Sequence, residues 1–286
     1  MYSELKDKVV TITGAGSLAK ALVKESLSLC PKSIRIITND EWQLVDIQRE
    51  FKDSKLRFMV CDIRDKDRLK QISRGTDVLI HTAALKHVPI CEYNPGECIK
   101  TNILGSLNVV EVAVELGIPK VLGISTDKAV QPVSIYGASK LVMEKLFMEA
   151  NVYTQTRFSC VRFGNLWGSS GSVIELWKEQ MSRGEPITVT DKDMSRYFIH
   201  IDEATRFTMT CIKLMKGGEI FIPYMPCYTL AELAKQVAPQ AQQKIIGRRR
   251  GEKIEEQIVS EDEEMCIERF NDCIIVRNKD REKYEK

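Results

Sequence analysis

Six short runs rich in β-branched and aliphatic residues punctuate the first half of the chain: Lys8–Thr13, Ser33–Ile37, Lys55–Val60, Asp77–Ile80, Lys120–Ile124 and Arg157–Phe163. Between them the apolar positions take helical spacing, as in Leu18, Ala21, Leu22 and Leu29 after the first run. An unbroken apolar run suits a strand buried on both faces, and the intervening helices supply the cover. Repeated alternation of this kind predicts an α/β fold, a doubly wound parallel sheet. After Phe163 the pattern changes. A Gly/Ser stretch, Gly168–Ser172, leads to a helix and a short β run, Pro186–Thr190. A helix after Asp202, another over Thr229–Val237, and the basic stretch Lys244–Lys253 follow. We expect residues 1–163, with about 198–223, to form the large domain. Residues 164–197 and 224–286 form a smaller mixed lobe, with a ligand cleft between the two. The charged end, Asn278–Lys286, is expected to fray.

Composition narrows the function classes. At 286 residues and 43% hydrophobic the chain can bury one large core or a core plus a small lobe. A net charge of +2 implies no polyanion partner such as nucleic acid. The cluster Arg248–Arg250 is either a phosphate site or a solvated turn. No apolar run approaches the ~20 residues of a membrane span. The charged N-terminus is expected to run directly into a strand, without a signal peptide. Nine dispersed cysteines without CxxC pairs fit reduced thiols in a cytoplasm. With only three histidines (His81, His87, His200) a histidine metal centre is not expected.

Candidate chemistry gathers where strands end. The first run feeds Gly14-Ala-Gly16-Ser17-Leu18-Ala19, a GxGxxA turn between strand and helix. Gly14 allows the tight turn and Gly16 a close approach to a pyrophosphate. Ala19 lets the helix pack, and the first turn at Ser17 and Leu18 offers unpaired N–H groups. Asn39, Asp40 and Glu41 follow the second strand at the ribose-reading position, about 20 residues beyond the glycines. An acid there favours a free 2′-hydroxyl, and no Arg occupies the turn, so NAD is expected over NADP. The same acids would equally cap the next helix. Asp62 and Ile63 end the third strand, where an adenine lies in such folds, and Ala83 and Ala84 permit close backbone approach after the fourth. Lys86 and His87 stand where ligands bind in open sheets. Tyr136 and Lys140 are one helical turn apart. An ammonium beside a phenol lowers its pKa from about 10, making Tyr136 a candidate base. The cysteines at 91 and 98 read as packing residues.

With these residues assembled, the chain resembles an extended short-chain dehydrogenase/reductase with a Rossmann domain. More narrowly it is similar to the inverting UDP-N-acetylglucosamine 4,6-dehydratases of pseudaminic acid biosynthesis, and so of flagellin glycosylation. The matching stretches are Ala83–Pro89, Asn94–Glu97, Ser125-Thr-Asp-Lys-Ala129, Tyr136-Gly-Ala-Ser-Lys-Leu141, Val161–Asn165, Gly171–Ile174, Met194–Arg196 and Arg250–Lys253. The resemblance implies that Tyr136 takes the C4-hydroxyl proton while NAD takes the hydride. Lys140 binds the nicotinamide ribose and Thr126 bonds the C4 oxygen. Asp127 protonates the departing 6-hydroxyl, and Lys128 handles the C5 proton. Phe163 joins the cofactor contacts. The UDP-linked N-acetylhexosamine contacts fall on Asn165, Ser172, Val173, Arg196, Arg250 and Glu252, beside Lys86 and His87.

Several positions depart from the family pattern. The glycine loop is one residue shorter, Asn39 stands near the place of a phosphate-reading Arg, Ser170 replaces an Arg, and the chain stops at Lys286. These tilt the expectation toward the second enzyme of a split route, which reduces a UDP-sugar 5,6-ene with C5 inversion. The retained Asp127–Lys128 pair favours the single-enzyme dehydratase. Both give UDP-4-keto-6-deoxy-L-N-acetylaltrosamine. A UDP-hexosamine 4-epimerase and a non-catalytic binding protein are the remaining classes. Relatives imply a homo-oligomer, a dimer or a hexamer.

Overall fold

The computed structural model describes residues 3–270 and 273–277. A single 3-10 turn, Ser3–Leu5, precedes the first strand, so the chain does not run straight into it as expected; Leu5 is buried in the core there. The fraying expected of Asn278–Lys286 lies outside the described residues.

Strands and helices alternate as β1 (Val9–Thr13), α1 (Ser17–Ser28), β2 (Ser33–Thr38), α2 (Glu41–Phe51), β3 (Leu56–Val60), α3 (Lys66–Ser73) and β4 (Val78–His81). Two short helices follow, α4 (Val88–Tyr93) and α5 (Pro95–Cys98). A π-helical segment, Ile99–Leu104, runs into α6 (Gly105–Leu116). Then come β5 (Lys120–Thr126), α7 (Ile135–Tyr153) and β6 (Arg157–Phe163). The remainder comprises β7 (Asn165–Trp167), α8 (Val173–Ser182), β8 (Ile187–Val189), β9 (Ser195–His200), α9 (Ile201–Leu214) and β10 (Glu219–Pro223). Last are β11 (Cys227–Thr229), α10 (Leu230–Val237), β12 (Gln243–Ile245), α11 (Glu261–Glu264), β13 (Ile267–Phe270) and β14 (Cys273–Arg277).

The large sheet has the order β13-β14-β10-β6-β5-β4-β1-β2-β3. The strands from β10 to β3 in that order are parallel, and β14 and β13 are antiparallel at one edge. All of β1 and β4 is buried, as their apolar runs require. One face packs on α1, α2 and α9 through Leu22, Val23, Leu44, Ile47 and Ile212. The other packs on α3, α6 and α7 through Leu69, Val109, Val112, Met143 and Phe147. Connections reverse direction between β1 and β4, which opens a crevice above the strands' carboxyl ends.

The smaller lobe holds two short sheets, β11-β9-β7 and β12-β8, around Trp177, Ile187, Met194, Phe198 and Leu233. Its expected extent needs correction. The stretch 224–286 was assigned to it, yet β13 and β14 belong to the large sheet. Cys273-Ile-Ile-Val-Arg277 pairs with β10, whose five residues are all buried and would otherwise form an open apolar edge.

Candidate active site

A cavity of about 840 Å³ runs from the β1–α1 turn to the small lobe. That volume suits a large ligand. Gly14 has φ +85°, and a Cβ there would lie 2.8 Å from Thr82 Oγ1 and 3.0 Å from Ala83 N. Gly16 has no neighbour within 4 Å of such a Cβ, so its backbone faces open space at the start of α1. Bare backbone, free helix N–H groups and room beside them fit a dinucleotide pyrophosphate. Ser17, Leu18, Ala83, Ala84 and Phe163 line the same cavity. The Ser17 hydroxyl is already engaged, accepting from Ser170 N at 2.9 Å and bonding Ser170 Oγ at 2.9 Å. The small lobe thereby meets the glycine turn.

At the far end the cavity is bounded by Asn39, Asp40, Asp62, Ile63 and Arg64. Asp40 caps α2, accepting from Trp42 N and Gln43 N, so the capping alternative holds for that side chain. Asp62 accepts from Asn39 Nδ2 at 3.3 Å and from Arg64 Nη2 at 2.6 Å. The Arg64 hydrogen bond holds the Asp62 carboxyl below its usual range. Arg64 also donates to Glu97 at 2.8 Å. The turn after β2 carries no Arg, as read, but the β3–α3 turn brings one to the same place. Sequence reasoning missed it because the approach is between turns distant in the chain.

The reactive end lies where β5 and α7 meet. Ser134 caps α7, and Gly137 lets the helix press onto the Lys128 carbonyl, which a Cβ would strike. Thr126, Lys128, Tyr136, Lys140 and Asn165 all line the cavity. Thr126 Oγ1 donates to Asp127 Oδ1 at 3.0 Å, and Lys128 Nζ donates to the same oxygen at 3.0 Å and to Asn165 Oδ1 at 3.3 Å. Asp127 is fully buried, is not part of the cavity wall, and its Oδ2 has no hydrogen-bond partner among the described residues.

The expected activation of Tyr136 by Lys140 is not what this geometry gives. Burial pushes the phenol well above its ordinary value, and a hydrogen bond with Thr126 offsets only part of that. Lys140 Nζ donates to Ile124 O at 2.8 Å, and burial lowers it to about 8. Desolvation therefore dominates the phenol, with Thr126 alone favouring the phenolate.

Ser172 and Val173 line the cavity, where Ser172 caps α8; Lys86 and His87 line it too. Lys86 Nζ donates to Ser170 O at 3.0 Å, and burial lowers its pKa; burial and Lys86 lower that of His87. Three expected substrate contacts fall elsewhere. Arg196 is buried under the small lobe and donates to backbone oxygens of Ser195, Lys253 and Ile254. Those bonds consume its fork in pinning one segment to another. Arg250 is exposed, and Glu252 accepts from Arg249 N at 2.9 Å within its own turn; neither lines the cavity. Asn102, which sequence reasoning places on a helix without a role, organises the site: its amide exchanges bonds with Leu85 N and O at 2.8 Å and donates to Ser139 Oγ at 2.9 Å. Among the described residues there is no cluster of three or more His, Cys, Asp or Glu suited to a metal, and no helix long and apolar enough to cross a membrane.

Comparison with known proteins follows the same outline. Residues 10–278 match the family described as polysaccharide biosynthesis protein. An uncharacterised membrane protein of Methanocaldococcus jannaschii is 43% identical over 286 residues, 95% of this chain and 86% of that protein. A UDP-N-acetylglucosamine 4,6-dehydratase (inverting) of Campylobacter jejuni is 42% identical over 263 residues, 90% of this chain and 79% of the enzyme. Among solved structures, Pen from Bacillus thuringiensis superposes with a TM-score of 0.93 at 36% identity, covering 96% of this chain and 88% of that one.

Proposed function

Because the chain belongs to the polysaccharide biosynthesis protein family, with the extended short-chain dehydrogenase/reductase fold, we propose that it is an NAD-dependent UDP-N-acetylglucosamine 4,6-dehydratase that inverts C5. The product is then UDP-4-keto-6-deoxy-L-N-acetylaltrosamine plus water, made in the cytoplasm for pseudaminic acid.

One observation carries this reading. Asp127 is a buried carboxylate with one oxygen held by Thr126 and Lys128 and the other without a partner. Such an oxygen is costly unless a ligand group meets it. With a proton on that oxygen, Asp127 can give it to a departing 6-hydroxyl and become the carboxylate that Lys128 pairs; a 4-epimerase has no use for such an acid. Bound along the glycine turn at Gly14 and Gly16, NAD would supply the hydride acceptor and donor for this chemistry, and the positive charge of its ring would favour the phenolate that burial alone opposes. Tyr136 receives the C4-hydroxyl proton, with Thr126 bonding the same oxygen. Lys140 holds the nicotinamide ribose. The C4 ketone acidifies C5, and Lys128 exchanges the proton there. Ser172, Val173, Asn165, Lys86 and His87 surround the sugar nucleotide.

A second reading, reduction of the 5,6-ene, rests on the enclosure of Asp127 behind the cavity wall while Lys128 reaches it. Mass spectrometry after incubation with UDP-N-acetylglucosamine, and proton NMR of the vinyl signals after incubation with the ene, decide between them. Loss of water from the first supports the dehydratase. Loss of the vinyl signals of the ene, with UDP-N-acetylglucosamine untouched, overturns it, and an isomer of unchanged mass formed from UDP-N-acetylglucosamine would mean epimerisation. Asp127→Asn should stop water loss while a reduced-nicotinamide transient still forms. Exposed Ile90, Tyr93, Ile99 and Leu104 near α4 and the π-helical segment support self-association.

A further inference from the structure

A second carboxylate stands beside Lys128, and no sequence motif marks it. Glu256 is 6% exposed, with Oε1 3.7 Å from Lys128 Nζ and Oε2 3.2 Å from Lys253 Nζ. Lys253 is itself fixed, donating to Val130 O at 2.6 Å. The segment carrying both is pinned to β9 by Arg196 and by backbone pairing of Ser195 with Glu255. Four charges thus alternate: Asp127, Lys128, Glu256, Lys253. Burying a carboxylate is tolerable only against cations.

Lys128 has three N–H donors. Asp127 and Asn165 take two of them, at 3.0 and 3.3 Å. Glu256 at 3.7 Å is beyond hydrogen-bond distance, so it attracts the ammonium without binding its third proton. Of these charged groups only Lys128 lines the cavity.

We propose that Glu256 is a positioning residue that holds the Lys128 ammonium with one N–H uncommitted, so that Lys128 delivers a proton to C5 of the sugar. The inference rests on the reading above that the chain processes a UDP-linked 4-keto hexosamine. In the step, a Lys128 N–H bond breaks and a C5–H bond forms from the enolate's electron pair. The enolate oxygen returns to the C4 ketone, and Lys128 regains a proton from solvent.

The test uses the full chain with its cofactor and the 4-keto-6-deoxy product in D2O, following loss of the C5 hydrogen signal by NMR. That exchange needs proton transfer alone. Glu256→Gln should slow it on the order of 100-fold, the cost of ångström-scale misplacement. It should lower kcat with KM for the sugar nucleotide unchanged, and leave C4 oxidation at the wild-type rate in single turnover. In a Lys128→Gln background it should add no further loss. Should Glu256→Gln fail to fold, Glu256→Asp retains the charge one methylene further back and should show a smaller loss in the same assay. Wild-type exchange in the variant, or an independent loss in the double variant, overturns the positioning role. If the wild-type protein converts neither UDP-N-acetylglucosamine nor the ene, the functional reading fails first, before any variant is compared.

Discussion

Tyr136 sits in the first turn of α7 with its hydroxyl beside Thr126. Removing that hydroxyl should cost chemistry and spare packing. Tyr136→Phe is expected to abolish C4 oxidation, read as absence of the reduced-nicotinamide transient, while cofactor affinity by calorimetry stays at wild type. His81 teaches the opposite lesson about a titratable side chain in a site-bearing strand. Its Nδ1 bonds Thr13 Oγ1 at 2.7 Å and its Nε2 bonds Ser106 Oγ at 3.0 Å, joining β1, β4 and α6. Burial drops its pKa from 6.5 to about 3. Below 6.5 the unfolded chain binds a proton that the folded one refuses, so stability falls as pH falls. The full loss is on the order of 5 kcal/mol for so large a shift. Urea unfolding from pH 6.5 down to 3 should show that slope, and His81→Gln should flatten it.

The element that matters most is α7, and two of the contacts that hold it can be tested separately. Gly137 allows its first turn to lie on the Lys128 carbonyl. Gly137→Ala is expected to displace Tyr136 from Thr126 and lower turnover on the order of 100-fold, measured as kcat. Deeper along the helix, Glu144 receives Arg162 Nε at 3.1 Å and Nη2 at 2.8 Å, and Arg162 also reaches Glu263 at 2.8 Å. This ties α7 to β6 and α11. Arg162→Met would strand the buried Glu144 carboxylate and should cost about 3–5 kcal/mol in urea titration.

For the whole molecule, the charges at the Asp62 end of the cavity bear on which cofactor it would take. Arg64 is paired by both Asp62 and Glu97, and Asp40 adds a further carboxylate. Glu97 is also paired by Lys100, so the three acids exceed the two cations by one charge, which would disfavour a 2′-phosphate. NAD should bind more tightly than NADP by calorimetry, and Asp62→Asn, which weakens the pairing of Arg64, should narrow the gap. The small lobe closes the other side: Ser170 meets Ser17 and Lys86 across the cleft, so both lobes share in enclosing whatever the glycine turn holds.

How much of this could be read along the chain depends on whether the cause is local. The six apolar runs, the GxGxxA turn and the Tyr136–Lys140 helix were legible because strand burial, turn geometry and helical spacing are one-dimensional constraints. The edge strands β13 and β14 escaped notice because the four apolar residues Cys273-Ile-Ile-Val276, near a charged terminus, become a strand only when β10 offers an edge. Electrostatics eluded the sequence for the same reason. Spacing places Lys140 one turn from Tyr136, yet burial, a property of the packed interior, raises the phenol regardless. Arg64 reaches the ribose-reading turn, Arg196 turns inward, and Glu256 joins Lys128 across more than a hundred residues. Those encounters belong to tertiary packing, because side chains remote along the chain meet only after the sheet and the lobe have fixed where each segment ends.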